Sequence, residues 1–449
     1  MFVNLIVLLH DQVQMSLAHD ATVLLQRLIG HNTVNPPGNE RPAQEMLRSE
    51  LEAAGFACEL VGATEERPNL IARLPGTGDG PRLCYLSHVD TVLADPHEWT
   101  VDPWSGEVRD GYVWGRGALD MKGQVACEVA AACALGRSGW RPARGELLVV
   151  VTCDEEAGAT YGAQWLCEHV PDKVRCDMVV NEGAGEMIEY AGRRLYTLCV
   201  GEKGVFRFKL STEGRAGHAS MPGIGDNALL RMVDVLSRLD GRQPPFDSYP
   251  AGIASLEALL GEPVGDVDAA VAQALLAEPR LRDQLESMMR VTLAPTMIRA
   301  SSKENVIPSR CTVRVDCRVP PGMGEDHVRQ RVGALLGAEA DSGYTLEFSE
   351  HVVGNSSPPD TPLAGFLRDF VRGTDPEADL LPLVLTGFTD SHWFRKAFPG
   401  CVAYGFFPQR AMSRFDTLPL IHAPDERIAQ DDIELASRFF SELAPSVLG

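Results

Sequence analysis

Residues 147–158 read LLVVVTCDEEAG, and the architecture follows from how this stretch is interpreted. Its first five residues form an unbroken apolar run without period-2 alternation. That pattern marks a strand covered on both faces, as in the parallel sheet of an α/β protein. Three acids follow at once. Ligands of open α/β sheets gather outside the carboxyl ends of strands, so Asp154, Glu155 and Glu156 stand where a site is expected. Side by side they repel one another unless a cation or a proton offsets their charge. A solvated acidic turn is the alternative, and this stretch alone does not separate the two.

Working outward, further acids and imidazoles sit in similar positions. Residues 69–74 and 83–87 read as strands, and the second runs into His88, Val89 and Asp90. Residues two apart on an extended chain share a side, so His88 and Asp90 can meet. A metal-bound imidazole commonly gives its other N–H to a carboxylate, which supplies a role for each. Residues 114–123 read WGRGALDMKG. Gly115, Gly117 and Gly123 bracket Asp120, which predicts a sharp turn around one carboxylate before a helix over 122–135. The GxxxxGKS/T pattern of a phosphate loop is lacking. Another apolar strand, 176–180, delivers Asn181, Glu182 and Gly183.

Beyond residue 201 the pattern changes. Residues 205–211 alternate apolar and polar side chains, as an antiparallel strand with one solvated face does. His218 follows in RAGHASMP, then a helix over 227–239. Residues 243–290 read as a helical or irregular insertion without chemical character. Strands over 296–300 and 311–319 flank Asn305, and a helix near 326–336 and a strand near 344–348 complete a β-α-β-β-α-β order. This is a small α+β layer inserted in the larger domain. The α/β pattern resumes with strands near 383–385 and 402–407, the loop GFTDS at 387–391, and His422 in LIHAPDE.

The chain has 449 residues, more than one core usually organises. Two domains are expected: a catalytic metal-binding domain from segments 1–200 and 353–449, and an inserted lid and dimerisation domain over 201–352. The formal net charge of −21 argues against nucleic acid or an anionic membrane as partner. Eleven cysteines without a CxxC pair read as reduced, buried thiols of a cytoplasmic protein. The apolar run at 2–9 lacks a basic flank and a cleavage site and is too short to span a bilayer. Met15, just before the amphipathic pattern at 21–29, is an alternative to Met1 as the start.

In order, HxD, GRGxxDxKG, DEE, NEG and a distal His before an acidic segment resemble the M20 family of metallopeptidases and amidohydrolases. That group includes glutamate carboxypeptidases, aminoacylases, acetylornithine deacetylases and succinyl-diaminopimelate desuccinylases. The resemblance extends from about residue 27 to 427, and five spaced matches are far more specific than any one. It implies a zinc-peptidase-like catalytic domain with a mixed, largely parallel sheet. It implies two divalent ions bridged by Asp120, with His88 and Glu182 completing one and Glu156 and His422 the other. Three carboxylates and a bridging hydroxide would balance their charge. Imidazole and carboxylate ligands suit zinc, with cobalt or manganese also possible.

The resemblance further implies that Glu155 is the general base and that Asp90 orients His88. His218 and Asn305 would face the oxyanion. Arg318, with Arg314 and Arg310 close by, and the backbone at Gly387 would face a substrate carboxylate. A cis peptide after Asp120 and a homodimer formed through the lid, with His218 serving the partner's metals, belong to the same expectation. The long insertion and the GFTDS loop are closer to the carboxypeptidase S and N-acyl-amino-acid hydrolase branch than to the short deacetylases. The implied activity is hydrolysis of a C–N amide bond in an N-acyl amino acid or dipeptide. A non-catalytic scaffold of the same fold would be expected to lose the base or a ligand. A two-metal phosphoesterase would want cationic side chains that this acidic neighbourhood lacks.

Overall fold

The computed structural model describes residues 2–239 and 241–449, with side chains from residue 16 onward except at positions 240, 340 and 350. The choice between Met1 and Met15 as the start falls outside these described side chains. The chain forms two compact units, one of Met1–Val200, Ser357–Leu383 and Thr389–Gly449, the other of Gly201–Ser356 and Val384–Phe388.

Among the described residues, the first unit is built on a nine-stranded sheet. Its strands are β1 Ala57–Val61, β2 Asn69–Pro75, β3 Arg82–His88, β4 Glu146–Thr152, β5 Met178–Asn181, β6 Met187–Tyr190, β7 Arg193–Glu202, β8 Asp379–Leu385 and β9 Val402–Gly405. They lie in the order β1-β2-β4-β3-β5-β9-β7-β8, with β6 beside β7. The central strands β4, β3, β5 and β9 are parallel to one another, and β1, β2 and β7 join antiparallel. The apolar run at 147–151 is thus an interior strand, and all five of its side chains have 0% exposure. Register aligns His88 with Thr152 and Asn181 with Gly405. The residues that follow β3, β4 and β5 therefore emerge together at one edge.

Helices cover this sheet. In chain order they include α1 Phe2–Ile29, α2 Arg41–Ala53, α3 Lys122–Arg137 and α4 Gln430–Leu448. Helix α3 packs against β3, α1 and α4. Phe439 and Phe440 of α4 form edge-on ring contacts with Phe370, Phe406 and Tyr85. The buried Tyr85 hydroxyl donates to the Phe440 carbonyl (2.6 Å), which satisfies its one polar atom. Strand β7 and helix α4 were not anticipated from the sequence. Among the described residues no helix is long and apolar enough to cross a membrane. Nor, among them, is any cysteine in a disulfide; all are buried except half-buried Cys58.

The second unit holds an antiparallel sheet in the order Thr292–Arg299, Arg310–Val319, Gly204–Glu213, Thr345–Val352. Alternation explains its single covered face. Phe206, Phe208, Leu210, Val313 and Val315 join a core with Met232, Val235, Val328 and Val332 of the helices Ala228–Ser237 and Glu325–Leu336. Arg207, Lys209, Arg314 and Asp316 alternate with them. The β-α-β-β-α-β order is present, and residues 243–290 add the helices Pro250–Leu260, Val267–Ala277 and Arg282–Met288.

That insertion reads as featureless in sequence but is fixed by buried charge. Lys203 Nζ, fully buried, donates to the carbonyls of Ser287 and Arg290 (2.6 Å each). Buried Asp247 accepts from Val291 N (3.1 Å) and His327 Nε2 (2.9 Å) and is ion-paired with Arg331. Burial pushes the Lys203 ammonium from an ordinary 10.5 down to about 7. The unfolded chain then binds one more proton than the folded chain between those values, so this residue makes stability rise with pH from about 7 to about 10. Urea melts across that range should show the unfolding free energy of wild type, minus that of Lys203→Met, increasing with pH. A difference independent of pH would refute the assignment.

Candidate metal centre

Five side chains converge at the carboxyl edge of the parallel strands. His88 is the last residue of β3, Glu156 lies in the turn after β4, and Glu182 follows β5. Asp120 comes from the turn that leads into α3, and His422 from the loop ahead of Arg427–Ala429. The glycines around Asp120 are required where they stand. Gly117 has φ +87°, and a Cβ on Gly123 would lie 2.2 Å from the Ala118 carbonyl oxygen, far inside contact distance. The Asp120–Met121 peptide is cis, as expected. His422 adopts φ 63° and Asp154 φ 67°, left-handed positions that Asp tolerates better than most residues.

The geometry divides into two triads that share Asp120. Asp120 Oδ1 lies 3.2 Å from His88 Nε2, which is also 3.6 Å from Glu182 Oε1. Asp120 Oδ2 lies 3.1 Å from His422 Nε2, which is 3.2 Å from Glu156 Oε2. Within each triad the ligand atoms all lie within 4.8 Å of one another. His88 Nε2, Asp120 Oδ1 and Glu156 Oε1 are buried, yet none makes a hydrogen bond. Lone pairs that crowd a common point without bonding one another are what a cation site looks like from its donors. The residues present fit two divalent ions.

Electrostatics agree. Burial and the nearby Glu182 hold the Glu155 carboxyl well above the usual range, while burial with Asp120 raises Glu156 and lifts Glu182 to about 8. Burial alone would lower His88, but Glu182, Asp120 and Asp90 outweigh it and raise it. Asp120 and Glu156 raise His422 to about 10. Buried like charges of this kind favour protons or cations at their centre.

The family model for peptidase family M20/M25/M40 matches residues 84–446. The chain belongs to this family. The succinyl-diaminopimelate desuccinylase of Rhodospirillum centenum is 33% identical over 270 residues, 56% of this chain and 65% of that protein. That of Gluconacetobacter diazotrophicus is 35% identical over 237 residues, 51% of this chain and 57% of that protein. The chain thus spans less than two thirds of these relatives' length. An M20 family metallo-carboxypeptidase from Sulfolobus solfataricus superposes with TM-score 0.69 at 16% identity, over 95% of this chain and 98% of that one. A Bacillus subtilis protein described as a dinuclear metal binding M20 peptidase gives 0.59 at 16%, over 97% and 99%. At these identities the structural likeness is one of fold.

In this M20 chain the first acid of DEE, Asp154, does not face the triads. Asp154 is ion-paired with Arg67 (3.1 Å), which also holds buried Glu40 (2.5 Å). Asp154 also accepts from Asn35 Nδ2 (3.0 Å) and Tyr161 N (3.0 Å). Asn35 Nδ2 donates as well to Asp90 Oδ2 (2.8 Å). Asp90, fully buried, accepts from Glu155 N and Glu156 N (3.2 Å each). The His88 Nδ1 hydrogen bond goes to the Asp90 backbone carbonyl (3.1 Å), with Oδ1 at 3.5 Å. Asp90 therefore braces the DEE turn as well as the imidazole. Sequence reading missed Arg67 and also Asp390 of GFTDS, whose buried carboxylate accepts from Thr152 Oγ1 (2.6 Å) at the end of β4.

The remaining candidates belong to the second unit. Gly217–His218 pairs with Val306–Ile307, and Ala219 N donates to the Asn305 carbonyl (3.0 Å), so one ribbon carries both His218 and Asn305. Ser220 N donates to His218 Nδ1 (3.2 Å), which in the neutral ring leaves the proton on Nε2. Arg318 is paired with Asp316 (2.7 Å), which also meets Arg207 (3.2 Å). Arg310 meets Glu213 (3.5 Å), and Arg314 is exposed opposite Lys209. Gly387 lies in the segment Val384–Phe388.

Because Asp120 alone belongs to both triads, the metal content of variants should be unequal. Asp120→Ala should lose both ions, while Glu182→Ala and His422→Ala should each lose one. Elemental analysis of dialysed protein measures this directly, and equal losses in all three would contradict a shared carboxylate.

Proposed function

We propose that this chain is a dinuclear-metal hydrolase that cleaves the C–N amide bond of an N-acyl amino acid or short peptide. The observation that carries the reading is the Asp120 carboxylate, whose two oxygens face two different His/Glu pairs. Divalent ions held there, zinc by preference of the donor set and cobalt or manganese as substitutes, would polarise the scissile carbonyl and acidify water. Glu155, partly exposed beside the triads and a member of neither, takes the proton from the attacking water and delivers it to the leaving amine. Asp90 holds the Glu155 amide so that the base keeps its aim. His218 donates from Nε2, with Asn305 beside it, to the oxygen that gains charge in the transition state. Arg318 and the Gly387 backbone take the substrate carboxylate, with Arg318 leaving Asp316 to do so.

The desuccinylase relatives support an N-acyl amino acid over a plain dipeptide, and make a dicarboxylic acyl half the first to try. A non-catalytic descendant is disfavoured, since both triads and the base are present. A screen of N-succinyl and N-acetyl amino acids and dipeptides against metal-reconstituted protein, read by amine release, tests the class. Within it, Glu155→Gln should keep its metal content and lose turnover by a factor on the order of a hundred or more. Loss of metal, or unchanged turnover, would refute Glu155 as the base.

The quaternary state belongs to the same proposal. Among the described residues Thr292–Arg299 is an edge strand of its sheet with Met297 and Ile298 exposed, and the helix Ala228–Ser237 exposes Leu230 and Val233. An apolar edge of this kind invites pairing with a second copy, and the dimer would bring His218 to the partner's metals. Mixing inactive Glu155→Gln and His218→Ala proteins under subunit exchange should then restore activity, because each heterodimer contains one intact composite site. No recovery despite exchange would refute the shared site.

A further inference from the structure

The turn that carries Asp120 and the loop that carries His422 are joined by one buried carboxylate. Glu426 has 0% exposure. Its Oε1 accepts from Leu119 N (2.7 Å) and Asp120 N (2.9 Å). Its Oε2 accepts from Arg116 Nη1 (2.7 Å) and Gly117 N (3.0 Å). Arg116 Nη2 donates in turn to the His422 carbonyl (3.3 Å), and Gly115 N donates to the Glu426 carbonyl (3.0 Å). Four donors on two oxygens use a carboxylate fully. The simpler account makes Glu426 the counter-ion of Arg116. It leaves Oε1 unexplained, because that oxygen meets only backbone N–H groups, one of them the amide of Asp120 itself.

We infer that Glu426 is a positioning residue for the metal centre. It gathers the amides of Gly117, Leu119 and Asp120 onto a carboxylate rooted in the His422 loop, and so fixes the Asp120 carboxylate relative to the His422 imidazole. The inference rests on the dinuclear-metal reading above. It goes beyond that reading in assigning ligand placement to a residue that touches no metal.

Zinc titration calorimetry on chelator-stripped protein tests it. Glu426→Gln sets an amide N–H against two N–H donors, and zinc should bind on the order of 10- to 100-fold more weakly. Excess zinc should recover turnover, with the substrate KM unchanged. The double variant Arg116→Met/Glu426→Gln discriminates the counter-ion account, since removing both partners of a pair together can be nearly neutral. Positioning requires the double variant to remain as weak as Glu426→Gln. If circular dichroism shows Glu426→Gln unfolded without metal, Glu426→Asp, which keeps the charge on a shorter arm, is measured instead. Wild-type affinity in the single variant, or recovery in the double one, overturns the inference. Loss of fold in both the Gln and Asp variants does so too, by making Glu426 a general element of the fold. Wild-type protein that binds no zinc would instead overturn the metal reading itself.

Discussion

Asp120, Glu155, Glu156 and Glu182 are brought together where parallel strands end, and carboxylates so placed repel one another unless positive charge lies between them. That constraint accounts for much of the first unit. The sheet must end β3, β4 and β5 at one edge for the acids to meet at all. The imidazoles of His88 and His422 must insert between them, and the turns that present them must be held by other means. The glycine-bracketed turn before α3 and the left-handed Asp154 and His422 are such places, where backbone freedom is given up to aim a side chain.

Charge that does not face the triads is neutralised separately. Arg67 takes Glu40 and Asp154 together, which leaves Asp154 as a strut while its two neighbours face the ligands. Asn35 ties that strut to Asp90, and Asp90 ties it to the amides of Glu155 and Glu156. The DEE turn is thus held through its side chains and its backbone at once. Two positioned acids result where three in a row would otherwise repel one another.

This hierarchy explains what was legible in the sequence. His88, Glu156 and Glu182 could be found because each follows an apolar run, and a strand's end locates a site without knowledge of the fold. Asp120 could be found because glycine tolerates what other residues cannot. The inserted layer was readable because its alternation is strict at Phe206, Phe208 and Leu210. Arg67 and Glu426 were not legible, since a cation and an acid in APDE look ordinary until long-range packing pairs the one with Glu40 and Asp154 and buries the other. Asp390 was hidden in a loop read for its glycine alone. Strand β7 opens with two arginines and gives no strand signal at its start, and Lys203 depends on carbonyls contributed by residues 287 and 290.

The two triads differ in how much of them meets solvent. His88 is 1% exposed, whereas the His422 side chain is about half exposed. Of the two imidazoles, that of His422 meets solvent directly and that of His88 does not, so a ligand exchange at the His422 triad has the more open route. Bound through one carboxylate, the two ions would be equal in ligand type yet unequal in exchange rate. The inner ion would then serve as a resident part of the fold, and the outer one would follow the metal composition of the surrounding solution.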